Sequence, residues 1–203
     1  VDAAAFTVPT DLREGDGTLA WHDTTIVVVQ ISLRAGESGL GFAYGHPAMV
    51  RLIDETLAPQ VLGLDVRESA AAWSAMVRAV RNLGRPGISS MAISAVDLAL
   101  WDAKARLLGQ PLHKLLGGCR ESVQIYGSGG FTTYSMPQLV SQLEGWVASG
   151  IPRVKMKIGT DWGRSWRADL ARISAVREAI GDDAELFVDA NGGYNRKQAR
   201  RLG

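Results

Sequence analysis

Residues 153–189 read RVKMKIGTDWGRSWRADLARISAVREAIGDDAELFVD and contain two short apolar strand patterns on either side of a helical one. The strand patterns lie at residues 153–158 and 185–189. Between them, apolar residues recur at helical spacing over about residues 161–180, and Gly181 follows as a stop signal. A strand, a helix and a second strand in this order predict a parallel βαβ unit.

The same alternation extends this unit in both directions. A short strand is predicted at residues 123–126, and a helix with a capping box of Ser135 and Gln138 follows it. A third helix begins at residue 195. Residues 119–203 therefore predict about three βα units, whereas a complete (β/α)8 barrel needs roughly 250 residues. Either a small open sheet or a part of a larger barrel fits this pattern.

Residues 1–118 follow a different pattern, in which strands come first and helices follow. Three segments rich in strand-forming residues predict an antiparallel meander: residues 1–8, 24–33 and 39–44. Helices are predicted after Asp65 and over the alanine-rich residues 90–108. This order is typical of an α+β domain, so we expect domains at residues 1–118 and 119–203.

The composition is that of an ordinary globular protein, with 46% hydrophobic and 21% charged residues. A formal net charge of +1 predicts neither a nucleic-acid nor a membrane partner. No apolar run approaches the ~20 residues of a membrane span, and no signal-peptide pattern opens the sequence. The single cysteine, Cys119, excludes an intrachain disulfide and fits a cytoplasmic location.

The strand at residues 153–158 separates its charged side chains from its apolar ones. Because side chains alternate along a strand, Lys155 and Lys157 share one face and the apolar residues share the other. Inside a barrel, two ammonium groups are costly unless an anion lies between them or one lysine is neutral. A neutral lysine can act as a base. On an exposed edge strand, the same lysines would instead protect against aggregation.

The strand at residues 185–189 ends at Asp189, the first residue of the sequence Asp189-Ala190-Asn191. In βα folds, active sites lie at the carboxyl ends of the strands. The Asp189 carboxylate is a hard oxygen ligand suited to Mg²⁺, and Asn191 could orient a ligand through hydrogen bonds. The alternative is that Asp189 is a turn or capping residue.

The two strands are expected to be neighbours, so their polar side chains should lie close together. A lysine base beside a metal-binding carboxylate is suited to removing a proton from a carbon next to a carboxylate. A lysine that forms a Schiff base, as in aldolases, is also compatible with Lys155 or Lys157. The residue pattern leaves both reactions open.

A wider resemblance connects these segments. Residues 91–118, MAISAVDLALWDAKARLLGQPLHKLLGG, are similar to the helix and Leu-Leu-Gly-Gly junction between the capping domain and the barrel in the mandelate racemase/muconate lactonizing enzyme family of the enolase superfamily. The Lys-x-Lys and Asp-Ala-Asn segments follow in the family's order. The resemblance implies an α+β capping domain followed by an incomplete (β/α)8 TIM-type barrel.

The resemblance also implies catalytic roles. Lys157 corresponds to the family's acid/base catalyst, Lys155 to the lysine that holds the substrate carboxylate, and Asp189 to the first of three Mg²⁺ ligands. The implied reaction is removal of the proton next to the carboxylate through an enediolate. It would racemise, epimerise or dehydrate a small carboxylate such as an acid sugar or a hydroxy acid.

Substrate contacts are implied as well. The family's mobile capping loops correspond to about residues 11–21 and 44–46, so Trp21 and His46 are candidates to contact the substrate, together with Asn191. A homo-oligomer is also expected.

One departure from the family pattern limits the predicted activity. The family's second and third metal carboxylates and its opposing base lie on later strands, at positions that this sequence does not contain. We therefore predict that the 203-residue chain is inactive by itself. The alternative is a non-catalytic fragment that binds a partner through an unpaired edge strand and apolar helix faces.

Overall fold

The computed structural model describes residues 1–202, which form two compact units. The first unit comprises Val1–Pro9 and Asp23–Glu121. The second comprises Thr10–His22 and the residues from Ser122 onward. The adjoining ends of the first two strands are thus counted with the second unit. The domain division at residue 118 stays a prediction.

A three-stranded sheet begins in the first unit. Its strands lie in the order β1-β2-β3 and comprise Asp2–Gly15 (β1), Ala20–Ser32 (β2) and Ser38–Tyr44 (β3). β2 and β3 pair antiparallel, with Val27 opposite Ala43 and Val29 opposite Gly41. Val27 and Val29 are fully buried, as expected for alternating side chains on one face of a sheet. The predicted meander is present, although β1 extends well beyond the predicted strand.

Helices of the first unit follow the sheet in the chain: α1 (Ala48–Leu52), α2 (Ala58–Val61), α3 (Ser69–Ala79), α4 (Ile88–Leu107) and α5 (Leu112–Leu115). The helical run from α1 to α2 is not among the elements predicted from the sequence, although Met49, Ile53, Leu57 and Val61 recur every four residues and are buried. A π-helical turn at Ile53–Leu57 joins these two helices. Within residues 1–202, no helix is both long and apolar enough to cross a membrane.

The second unit alternates strands and helices. Its elements are β4 (Gly127–Ser128), α6 (Met136–Ala148), β5 (Arg153–Lys157), α7 (Trp166–Ile180), β6 (Glu185–Asp189) and α8 (Arg196–Leu202). The strands are parallel and lie in the order β4-β5-β6. The predicted capping box of Ser135 and Gln138 is present at the start of α6. The predicted βαβ order is therefore found in this unit.

Two predicted boundaries in this unit are wrong. The strand predicted at residues 123–126 is in fact β4, because only Gly127 and Ser128 pair with β5 and the preceding apolar residues are exposed. The helix predicted from about residue 161 begins at Trp166. Asp161 and Trp162 have positive φ angles, a conformation that an α-helix does not contain.

The core of the second unit lies on one face of β5. Val154 and Met156 are fully buried there, and they pack with Leu139 and Leu143 of α6 and Val176 of α7. The two lysines of β5 alternate with these residues and therefore point to the other face. Burial of one face thus fixes the direction of the lysine side chains.

Replacing Gly41 or Gly145 with alanine should change the free energy of unfolding in opposite directions. A Cβ at Gly41 would lie 2.1 Å from the Ala95 carbonyl oxygen and 2.5 Å from the Ala99 nitrogen of α4, so Gly41→Ala should lower the free energy of unfolding by about 2 kcal/mol. A Cβ at Gly145, inside α6, would meet no atom within 4 Å. Gly145→Ala should therefore raise stability by about 0.5–1 kcal/mol. Urea unfolding followed by tryptophan fluorescence measures both, and changes of the same sign would contradict this packing.

Candidate active site

The two lysines of β5 share one carboxylate of β6. Lys157 lies opposite Asp189 in the parallel register, and its Nζ donates to Asp189 Oδ2 at 2.7 Å. Lys155 Nζ donates to the same oxygen at 3.2 Å. The side chains of Lys155 and Lys157 are only 15% and 12% exposed. An anion therefore lies between the two ammonium groups, as burial of both lysines requires.

The Asp189 carboxylate is also bound by the backbone that follows it. The Asn191 N–H donates to Asp189 Oδ1 at 2.9 Å. Burial would raise the pKa of Asp189, but hydrogen bonds from Lys157, the Asn191 backbone and Lys155 lower that pKa to about 2. Asp189 is therefore ionised at neutral pH.

Asn191 completes this group of polar side chains. Its Oδ1 accepts a hydrogen bond from Lys157 Nζ, so the ammonium contacts both Asp189 and Asn191. Asn191 has a φ of 46°, a left-handed conformation that asparagine tolerates better than most residues. The turn after β6 thereby directs the amide towards Lys157.

Aromatic residues that the sequence patterns did not select flank Lys155. Its Nζ lies 5.8 Å from the centre of the Tyr126 ring, which packs edge-on against Phe187 at 5.9 Å. The position of Tyr126, directly before β4, is the signal in the sequence that could have identified it. An aromatic face attracts a cation, so Tyr126 helps to place the Lys155 ammonium.

The turn between β1 and β2 packs against the strand ends of the second unit. The carbonyl oxygen of Asp16 accepts a 2.6 Å hydrogen bond from Thr132 Oγ1, and a Cβ at Gly17 would lie 2.3 Å from the Gly159 carbonyl oxygen. Burial raises the pKa of Asp16, hydrogen bonds from Leu19 and Thr18 lower it, and the Lys157 charge lowers it further. The net pKa is below its usual value, and the turn lies within electrostatic reach of Lys157.

The remaining two predicted site residues have partners of their own. Trp21 belongs to the second unit, where its Nε1 donates to Glu14 Oε2 at 2.9 Å and its ring meets Phe131 edge-on at 5.6 Å. His46 belongs to the first unit, where it is exposed and its Nδ1 accepts from the Ala48 N–H at 3.1 Å. Contact of either residue with substrate stays a prediction.

Asp189 fits one position in a magnesium coordination shell. It provides a hard carboxylate oxygen at the carboxyl end of β6, and Asn191 provides an amide oxygen nearby. The described part of the chain contains no group of three or more His, Cys, Asp or Glu residues that could hold a metal ion. These residues thus supply one carboxylate ligand and not a full set.

The first unit combines strands and helices, and the second contains parallel βα units. In the second unit, the Lys-x-Lys strand lies beside the strand that delivers Asp189 of the Asp-Ala-Asn sequence. This combination defines the class of enolase-type barrel enzymes. Within this class, the chain belongs to the mandelate racemase/muconate lactonizing enzyme family. Residues 16–117 match the N-terminal domain of that family, and residues 138–203 match the enolase C-terminal domain-like family. The resemblance seen in the sequence is therefore confirmed.

Curated and solved relatives agree with this assignment. The L-talarate/galactarate dehydratase of Salmonella typhimurium LT2 is 37% identical over 185 residues, which cover 89% of this chain and 46% of the relative. A mandelate racemase/muconate lactonizing enzyme-like protein from Rubrobacter xylanophilus superposes with a TM-score of 0.92 at 50% identity, covering 98% of this chain and 54% of that one. A Streptomyces coelicolor A3(2) racemase with bound magnesium gives a TM-score of 0.93 at 33% identity, covering 98% and 57%.

The chain spans about half the length of the curated relatives that it matches. Those relatives are enzymes, and they include dehydratases, cycloisomerases and an epimerase. The family to which the chain belongs is therefore one of enzymes.

Proposed function

We propose that this chain supplies the lysine side of the active site in a Mg²⁺-dependent enzyme that removes the proton next to a carboxylate. The observation that supports this proposal is the shared Asp189 carboxylate, which receives hydrogen bonds from both Lys155 and Lys157 at the ends of adjacent parallel strands. The proposed substrates are acid sugars or related hydroxy acids, because the relatives include L-talarate/galactarate dehydratase and arabinonate dehydratase. Racemisation, epimerisation and dehydration all begin with this proton transfer.

Each polar residue has a proposed role. Lys157 would accept the proton as the neutral amine and become an ammonium, because its Nζ lies at the carboxyl end of β5 and is oriented by Asp189 and Asn191. Lys155 binds the substrate carboxylate through its charge. Asp189 is a Mg²⁺ ligand, and bound Mg²⁺ would stabilise negative charge on the substrate's carboxylate oxygens. The other metal ligands and an opposing base would come from outside the described residues.

The proposal extends to the organisation of the chain. Residues 1–118 would form the capping domain, and residues 119–203 would form about three βα units of an eight-unit barrel. Trp21, His46 and Asn191 would contact the substrate, and the active protein would be a homo-oligomer. The relatives' greater length supports an incomplete barrel, since the chain covers only 46–52% of the first curated relatives.

Deuterium exchange tests the proposed reaction. Acid sugars incubated in D₂O with Mg²⁺ should gain deuterium next to the carboxylate when the catalytically active form of the protein is added, and EDTA should stop this exchange. The purified 203-residue chain, checked by its intact mass of 21.8 kDa, should give no exchange. Mg²⁺-dependent turnover by that chain alone would contradict the predicted inactivity. Exchange that persists in EDTA, or substrate trapped on a lysine by borohydride, would favour a Schiff-base aldolase instead.

A further inference from the structure

A fully buried carboxylate lies behind the lysine site, on the first turn of α7. Asp169 is 0% exposed. Its Oδ2 accepts hydrogen bonds from the backbone N–H groups of Gly159 and Thr160 at 3.1 and 3.2 Å, and its Oδ1 accepts from Thr160 Oγ1 at 2.7 Å. The Tyr194 hydroxyl also donates to Oδ2. A buried charge is costly unless it is satisfied in this way, so these four donors hold Asp169 in place.

The donors come from the segments that follow both catalytic strands. Gly159 and Thr160 follow β5, which ends at Lys157, after one intervening residue, and Tyr194 follows β6 and the Asn191 turn. The two segments also touch each other, because a Cβ added to Gly159 would lie 3.0 Å from the Ala190 carbonyl oxygen. One carboxylate therefore links the backbone behind Lys157 to the backbone behind Asn191.

We propose that Asp169 is a positioning residue for the proposed proton transfer, and that it sets the Lys157 ammonium against Asp189 and Asn191 by joining the two strand-end segments. Tyr194 is the link from Asp169 to the β6 side. Burial and the hydrogen bond to Asp169 raise the pKa of Tyr194, which keeps its hydroxyl protonated and able to donate. The catalytic consequence rests on the proposed function, whereas the positioning itself does not.

The next turn of α7 extends the same arrangement to a third strand. Arg172 is 9% exposed, and its guanidinium donates to the carbonyl oxygens of Phe131 and Tyr134 at 2.8 Å each. Phe131 and Tyr134 lie in the segment after β4. The amino-terminal turns of α7 thus fix the segments at the ends of all three parallel strands.

Competitive acetylation of lysines tests the positioning without any need for activity. In the wild-type chain, Lys157 should react slowly with acetic anhydride, whereas the exposed Lys114 and Lys197 serve as internal references. Asp169→Asn should raise the relative labelling of Lys157 about tenfold, because it removes the charge that accepts these hydrogen bonds, and Tyr194→Phe should raise it about threefold, because it removes one of them. Tyr194→Phe removes only one hydroxyl group, so the labelling can still be measured in this variant if Asp169→Asn does not fold.

Arg177→Gln provides a matched control on the same helix. Arg177 lies near the other end of α7 and donates to the Gly181 and Ala184 carbonyl oxygens at 2.7 Å, before β6 begins. This variant should lower the Tm without changing the labelling of Lys157. If the Asp169 and Tyr194 variants behave in the same way, their role is structural and the positioning proposal is overturned.

Kinetics of the active form separate this proposal from the proposed function. Tyr194→Phe should lower kcat about tenfold with little change in KM, because misplaced catalytic groups slow chemistry more than they weaken binding. If the labelling of Lys157 changes in the Asp169 and Tyr194 variants but the wild type exchanges no deuterium into the acid sugars, the proposed function is refuted and the positioning role is supported. Unchanged labelling would refute the positioning role whatever the activity.

Discussion

Replacing Lys157 with alanine should reduce exchange of the substrate's α-hydrogen with solvent by at least about 10³-fold in the catalytically active form of the protein. The Lys157 side chain is 12% exposed, and its Nζ is oriented by Asp189 and by Asn191. Within residues 1–202, no other lysine contacts both of these acceptors, since Lys155 contacts the Asp189 carboxylate but not Asn191. Because an ammonium has no lone pair, the proton acceptor would be the neutral amine of Lys157, and Lys155 would not replace it. Deuterium incorporation measured by NMR gives the rate directly.

Two further variants separate the base from the charge. Lys157→Arg keeps a cation that can hydrogen-bond Asp189, but a guanidinium does not lose its proton near neutral pH, so this variant should fold and remain inactive. Lys197→Ala removes an exposed lysine of α8 and should leave the exchange rate unchanged. Deuterium incorporation at the wild-type rate in Lys157→Ala would refute the proposed role of this lysine.

The arrangement of the lysine site could be predicted because it depends on short-range periodicity. Side chains alternate along a strand, and burial of Val154 and Met156 leaves only one direction for Lys155 and Lys157. A βαβ connection makes the two strands parallel neighbours, which brings Asp189 opposite Lys157. Local rules therefore sufficed for the residues that meet at the strand ends.

The supporting residues could not be predicted as easily, because their partners are distant in the chain. The helical pattern of α7 predicts Leu170 on the inward face, yet Leu170 is 37% exposed and the polar Asp169 and Arg172 are buried in its place. Asp169 and Arg172 lie at helical spacing from the buried Val176 and Ile180, so the position of the buried face could have been found from the periodicity of the sequence. Polar residues on an apolar face are assigned correctly only once their hydrogen-bond partners are known.

The turn between β1 and β2 shows a second limit of sequence patterns. Gly15, Asp16 and Gly17 are typical of a mobile loop, and these three residues include no apolar side chain that would indicate packing. Nevertheless, β1 continues to Gly15 and β2 begins at Ala20. The turn between them packs against Gly159 and Thr132. Packing against residues more than one hundred positions away orders this segment, and no local pattern reports such a contact.

Replacing Asp189 with asparagine should both destabilise the second unit and remove a proposed Mg²⁺ ligand. The substitution leaves two lysine side chains, 12% and 15% exposed, without the carboxylate that lies between their ammonium groups. We expect the free energy of unfolding at pH 7 to fall by about 1–2 kcal/mol, a value reduced because the carboxylate is one-third exposed. Asp183→Asn, at an exposed position before β6, is the matched control and should have almost no effect.

The pH dependence of this loss identifies its cause. Asp189 has a pKa of about 2 in the folded chain and about 3.8 as an unperturbed carboxyl, so its stabilisation is present above about pH 4 and is lost as the pH falls towards 2. The stability difference between wild type and Asp189→Asn, measured by urea unfolding in EDTA, should therefore shrink across that window. A difference that stays constant from pH 7 to pH 2 would instead mean that asparagine disturbs packing. In that case the two lysines would not depend on the carboxylate charge, and the charge arrangement proposed for proton transfer would lose its physical basis.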